Sequence, residues 1–274
     1  MRTLTKVVQG MPATDGAGVK LKRIIGTAAL DMVDPFLMLD EFGSDDPNSW
    51  IAGFPDHPHR GFETVTVMLE GRVSHADSVG NSGVIEAGDV QWMTAGKGII
   101  HSEMPERADG RLRGFQLWVN LPAHLKMVAP RYQDTRAARI PTVTQTGVTL
   151  RVITGEVFGV QGPVESLIPV RLLQARFEPH AALDLPVPAD HNCFAYVQEG
   201  AVSSDGRELS TGQLGVYGGR GNVQLRATDR GAGILICNAM PINEPVARYG
   251  PFVMNTRDEL ARAFDEYQRG VLTT

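Results

Sequence analysis

His57-Pro58-His59 and His101-Ser102-Glu103 decide how this chain is read. Each pair places two potential metal ligands in an i, i+2 spacing, which on a β-strand puts both side chains on one face. Two such strands in one barrel can aim four ligands, His57, His59, His101 and Glu103, at a common centre. The first pair leaves a loop containing Asp56 and Pro58 and leads into Phe62-Glu-Thr-Val-Thr-Val-Met-Leu69. The second closes Gly88-Asp-Val-Gln-Trp-Met-Thr-Ala-Gly-Lys-Gly-Ile-Ile-His101. Strand, hairpin, strand and glycine turn then return the chain antiparallel to the first pair.

Working outward, 30 Gly and 17 Pro punctuate short runs rich in Val, Ile, Leu, Phe and Thr, among them 19–25, 64–69, 170–177, 194–198, 222–227 and 233–237. That pattern predicts a mostly β chain of many short strands. One helix is expected at the C-terminal end. Thr256-Arg-Asp-Glu259 forms a capping box, Leu260, Ala263, Phe264 and Tyr267 share one face, and Gly270 stops the helix. Its narrow apolar stripe suits packing on a barrel exterior or over a sheet edge.

A weak internal repeat joins Leu69-Glu70-Gly71-Arg72-Val73, followed by Gly88, to Gln198-Glu199-Gly200-Ala201-Val202, followed by Gly212. It predicts two tandem antiparallel β-barrels, 1–134 and 135–274, with a connector near residues 134 to 147. Carried back along the repeat, His57 and His59 fall opposite Pro186 and Pro188, Glu63 opposite Asn192, and His101 and Glu103 near Leu225 and Ala227. Metal is therefore expected in the first barrel alone. His180 and His191 match nothing in the first half and are read as non-ligands.

The formal charge of -5 and the absence of a Lys/Arg block argue against direct nucleic-acid binding. Neither a secretory h-region nor a long apolar run appears, so a cytoplasmic protein with no membrane association is expected. Cys193 and Cys237 are read as buried reduced thiols. His75 and His124 are expected at the surface, and Lys97 in a solvated turn. Three imidazoles and a carboxylate suit Fe(II), with Mn, Co, Ni, Cu and Zn as alternatives, and leave open positions on a six-coordinate ion. A structural zinc site would more often recruit cysteine and close its coordination. Phe54, Phe62, Met68, Trp92, Met93, Phe115 and Trp118 are candidates for an apolar pocket wall.

The stretches His57-Pro-His-Arg-Gly-Phe-Glu-Thr64, 88–105, Gln116-Leu-Trp-Val-Asn-Leu-Pro122 and Asn243-Glu-Pro-Val-Ala-Arg-Tyr-Gly-Pro-Phe-Val-Met-Asn255 resemble the pirin family of the cupin superfamily. The resemblance implies a bicupin of jelly-roll type with metal in the N-terminal barrel only, and its ligands land on His57, His59, His101 and Glu103. General cupins take their carboxylate from the first motif, which would nominate Glu63. Thr94 and Pro105 depart from the general second motif and favour the pirin assignment, leaving Glu63 beside the ligands as an alternative catalytic carboxylate to Glu103.

The resemblance further implies quercetin 2,3-dioxygenase activity, the O2-dependent opening of a flavonol's central ring with release of CO. The partners are then a small aromatic substrate and O2, and the protein a monomer. The rival reading is a metal- or redox-sensing regulatory protein that acts through protein contacts. For it, Arg107, Arg111 and Arg113 beside the second pair offer a local basic patch.

Overall fold

A computed structural model describes residues 1–107 and 110–274. It is built from short antiparallel strands, three 3-10 turns and the helix Arg257–Gln268. The chain forms two compact units.

The unit holding the ligand pairs comprises Pro12–Arg23, Phe36–Ala137 and Ile242–Thr274. One of its sheets runs in the order Arg131–Thr135, Val90–Thr94, Phe62–Glu70, Leu112–Asn120, Phe36–Ser44, Val19–Ile25 and Met11–Asp15. The other runs Phe54–His59, Ile99–Pro105, Arg72–Asp77 and Ser82–Glu86. The two are the sheets of a jelly roll. Val19, Leu21, Phe42, Trp50, Met68, Val73, Ile85 and Leu112 form one buried cluster of this unit.

The second unit comprises Met1–Met11, Ile24–Pro35 and Ala138–Pro241. Its main sheet is organised around two long strands, Asn192–Ser204 and Val223–Ala239, whose pairing shifts register between Val197 and Glu199 and again between Gly200 and Val202. Gly200 explains the bend. Its φ is +72°, and a Cβ there would stand 2.1 Å from Gly231 O. Gly71, its partner in the repeat, has φ +82° and would place a Cβ 2.4 Å from Arg111 O. The repeat thus marks a corner where two backbones approach too closely for any side chain.

The division at 134 differs from the observed units at both ends of the chain. Thr3–Gln9 belongs to the second unit, where it pairs with Gln213–Gly218 and covers that edge. Residues 242–274 belong to the first unit. There Phe252 bridges Arg60, Val253 N donates to Arg60 O at 3.0 Å, and Arg60 Nη2 pairs with Glu266 at 2.7 Å. The helix has the expected capping box, and Ala263 packs with Phe252 and Leu272. It belongs to the unit that holds the histidine pairs and not to the unit that precedes it in sequence.

Candidate metal centre

His57 and His59 end the strand Phe54–His59, and His101 lies in Ile99–Pro105. These strands are antiparallel neighbours, with His101 directly opposite His57 and Ile99 opposite His59. One ligand atom from each of His57, His59 and His101 lies within 4.8 Å of the others. The ring centroids stand 4.4 Å apart for His57–His101, 4.7 Å for His57–His59 and 5.1 Å for His59–His101.

Second contacts set the tautomers. His57 Nδ1 lies 2.8 Å from Pro55 O and His59 Nδ1 lies 3.4 Å from Pro251 O. A carbonyl only accepts, so both Nδ1 atoms carry the proton and both Nε2 lone pairs are free to ligate. His101 is buried, and among the described residues neither of its nitrogens has a hydrogen-bond partner. Burial, reinforced by His57, pulls the His59 pKa to about 3; burial, then His59, His57 and His75, holds His101 well below the usual histidine range. These rings are neutral near pH 7, as metal ligation requires. Three converging imidazoles with two orphaned buried nitrogens fit a divalent transition-metal ion.

Glu103 shares the His101 face by alternation, but it stands outside the three-imidazole group. Between His101 and Glu103 the pairing with the neighbouring strand shifts, so that Glu103 faces Phe54. The buried carboxylate accepts from Thr66 Oγ1 at 3.1 Å, and the Gln116 amide lies 2.7 Å from the same hydroxyl. Burial raises its pKa, opposed by His57, Thr66 and His75.

Glu63 occupies the other face of its strand. Thr66 points toward Glu103, and Glu63, three residues away on a regular strand, points oppositely and accepts from Thr94 Oγ1 at 2.7 Å. The alternation that separates Glu63 also divides the expected pocket wall. Trp92 is opposite Val65 and Phe115 opposite Val67, so both share the Glu63 face. Phe62 and Trp118 instead meet His59, at 5.1 and 5.2 Å, while Phe54 lies 6.4 Å from His57. Met93 and Met68 keep to the Thr64 and Thr66 side.

His75, expected at the surface, is buried. It faces Glu103 across the strands, and its Nε2 lies 3.3 Å from Asp134 Oδ2. Gln91 Nε2 donates to the other Asp134 oxygen at 2.9 Å. The bond to His75 holds the Asp134 carboxyl below its usual range, with help from Gln91. This polar group beside Glu103 escaped sequence reading because a lone histidine near a hairpin carries no signal of the strand face it occupies. His124 is exposed, and Lys97 Nζ reaches Thr274 O at 3.2 Å. Arg111 and Arg113 both pair with Asp45, whose single carboxylate offsets part of their charge.

Among the described residues, the corresponding positions of the second unit carry no histidine cluster. There Leu183 faces Leu225 and Leu185 faces Val223, the same pairing that His57–His101 and His59–Ile99 make. The register therefore moves the counterparts of His57 and His59 from Pro186 and Pro188 to Leu183 and Leu185. All are buried with Val202 and Ala227 in one apolar cluster.

Comparison with known proteins agrees with this layout. The pirin family model matches residues 18–119, and the model of the pirin C-terminal cupin domain matches residues 172–273. A pirin-like protein of Caulobacter vibrioides is 47% identical, the match covering 98% of this chain and 99% of the relative. A Pseudomonas aeruginosa protein named as a candidate quercetin 2,3-dioxygenase is 44% identical, with 99% and 98% covered. The crystal structure of quercetin 2,3-dioxygenase from Acinetobacter baumannii superposes with a TM-score of 0.93 at 33% identity, covering 100% of this chain and 99% of that one. A bacterial pirin of Escherichia coli, solved in complex with nickel(II), shares the fold with a TM-score of 0.68 at 22% identity, over 86% of this chain and 100% of its own. With two cupin units, both family models matched and relatives aligned from end to end, the chain belongs to the pirin family.

Proposed function

We propose that the protein is a mononuclear non-haem iron dioxygenase of the quercetin 2,3-dioxygenase type, with His57, His59, His101 and Glu103 as the metal ligands. The observation that carries this reading is the buried His101, unbonded at both nitrogens among the described residues, whose ring converges with those of His57 and His59. Bound there, iron(II) would supply Lewis acidity and reactivity toward O2. The activities for which the Pseudomonas and Acinetobacter relatives are named support the substrate class, and the nickel(II) complex of the Escherichia pirin is consistent with a divalent ion.

The chain's own residues supply the rest. Phe62 and Trp118, 4.3 Å apart and both against His59, present an aromatic wall to a planar flavonol. The Glu103 carboxylate, raised by burial and held by Thr66, takes the proton of the flavonol 3-hydroxyl. Glu63 has no part in this scheme, because it faces away from Thr66. Loading with Fe(II) under anaerobic conditions, followed by quercetin and O2, tests the proposal through loss of flavonol absorbance and release of CO. Stoichiometric iron without turnover would remove the dioxygenase reading and leave the regulatory one.

A further inference from the structure

The end of the second unit that corresponds to the metal end of the first carries a different chemistry. In the first unit the chain leaves His59 and turns into the strand beginning at Phe62; in the second it leaves Leu185 and turns into the strand beginning at Asn192. Across the mouth next to this second turn, Arg171, Asn238, Cys193 and Tyr217 are successive direct partners on four strands, so their side chains share one face. Cys193 and Tyr217 belong to the interior cluster, which makes that face the inner one.

Two guanidiniums occupy this end. Arg171 is 8% exposed and Arg2 5% exposed. Arg171 donates to Glu156 O at 3.1 Å and to Pro186 O. Arg2 donates to Pro188 O at 2.6 Å and to Gly221 O at 3.2 Å. The Asn238 amide completes the group: in the orientation that satisfies both its ends, it accepts from Arg171 Nε at 3.0 Å and Nη2 at 3.1 Å and donates to His191 Nδ1 at 3.0 Å. An acceptor Nδ1 leaves the His191 proton on Nε2, a further donor.

Every named partner of the two arginines is a neutral oxygen, and among the described residues neither forms an ion pair with a carboxylate. Both guanidiniums bear electrostatically on the Cys193 thiol, which burial nevertheless keeps protonated by raising its pKa to about 12. With five N–H donors on each guanidinium, one on Arg171 and three on Arg2 lack an acceptor among the described residues. Neutral amides could staple the 186–188 carbonyls equally well. Buried positive charge is costly without a counter-charge, and a fork of N–H donors matches the oxygens of a carboxylate or phosphate.

We infer that this end of the second unit binds a small oxyanion, a carboxylate or phosphate group, between Arg2 and Arg171. The repeat has then turned a cation-binding end in one unit into an anion-binding end in the other.

Calorimetric titration with inorganic phosphate and, separately, with acetate tests the site, with sodium chloride holding ionic strength constant. The expected result is saturable binding of one equivalent of at least one anion, weakened by roughly tenfold or more in Arg171→Gln and in Arg2→Gln, as loss of charged hydrogen bonds requires. Saturation by phosphate alone assigns the phosphate class; saturation by acetate assigns carboxylates. His101→Ala, altered only in the other unit, binds as the parent does. Should Arg171→Gln fail to fold, Arg2→Gln decides the matter. No saturable binding of either anion, unchanged affinity in the folded arginine variants, or loss of binding in His101→Ala would overturn the inference.

Discussion

His57 and His101 are direct cross-strand partners whose rings stand 4.4 Å apart, and among the described residues no hydrogen bond engages either His101 nitrogen. Unshared pairs converging on one point repel until a cation accepts them. His101→Ala is therefore expected to lose stoichiometric metal while remaining folded. It also loses metal-dependent stabilisation, about 2.7 kcal/mol for the parent at a metal concentration one hundred times Kd. Elemental analysis and unfolding with and without metal check this; full occupancy in the variant would refute the ligand assignment.

The same imidazoles set a pH dependence for the metal-free protein. The native His59 takes a proton only near pH 3 and His101 well below the usual range, whereas in the unfolded chain both titrate near 6.5. Between those values the unfolded state binds more protons, so stability falls as pH falls below 6.5, by up to about 1.4 kcal/mol per pH unit for each group. Glu103 and Asp40, raised by burial, act in the opposite sense above the ordinary carboxyl range. The diagnostic is thus the difference between parent and His59→Ala in denaturant titrations at pH 7 and pH 5. Equal pH slopes would show that native His59 protonates freely.

The features legible in the sequence were those with local or short-period signatures. The His57-Pro-His59 and His101-Ser-Glu103 pairs lie on neighbouring strands as their spacing demands, and Thr256 to Glu259 caps its helix through both bonds of the box. What escaped depends on register and long-range pairing. Trp92 and Phe115 are as apolar as Met93 and Trp118, and only strand alternation separates them. Pro186 and Pro188 looked equivalent to the histidines because the match was anchored at the Gly71 and Gly200 corners, while the turns between corner and ligand strand differ in length. Exchange of the terminal segments left no local trace, since an edge strand such as Thr3–Gln9 reads alike beside any sheet.

Lys126 ties the C-terminal segment to the metal-ligand unit. Its buried ammonium donates to Gly61 O at 2.7 Å, Asn120 Oδ1 at 2.6 Å and Val253 O at 3.0 Å. Burial pulls its pKa to about 7 against Glu244 and Glu259, and the three oxygens match the three donors of the charged form. Lys126→Met orphans those acceptors and is expected to cost about 3 kcal/mol. Gly61→Ala strikes the same place, because φ is +90° and the Cβ would stand 1.9 Å from Val253 O. Both changes also weaken metal binding, since Pro251, two residues before Val253, supplies the carbonyl at His59 Nδ1. Denaturation and metal titration read the two effects separately; lost stability with unaltered metal affinity would deny the Pro251 carbonyl its orienting role.

Thr66→Val removes the hydroxyl that donates to Glu103 with almost no change in volume. Stability is expected to drop by about 1 kcal/mol. The carboxylate, deprived of a bond that favours its charged form, shifts further upward. If Glu103 takes the substrate proton, kcat falls, KM changes little, and the acid limb of the rate profile moves to higher pH. An unshifted limb would assign the proton to another group.

Leu225 stands in the second unit where His101 stands in the first, opposite Leu183 and 1% exposed. Its methyl groups contribute to a core that spans the two long strands, so Leu225→Ala creates a cavity and is expected to cost about 2–5 kcal/mol. Converting the pair to Leu183→His and Leu225→His restores two imidazoles, but Leu185, Ala227 and Val202 still fill the surrounding positions with hydrocarbon. Burial of two unpartnered rings then destabilises the protein without adding a metal site. Stoichiometry in the double variant stays that of the parent, measured by elemental analysis beside a thermal melt. A second equivalent of metal would mean that ligand identity alone, and not the packed leucine core, separates the two units.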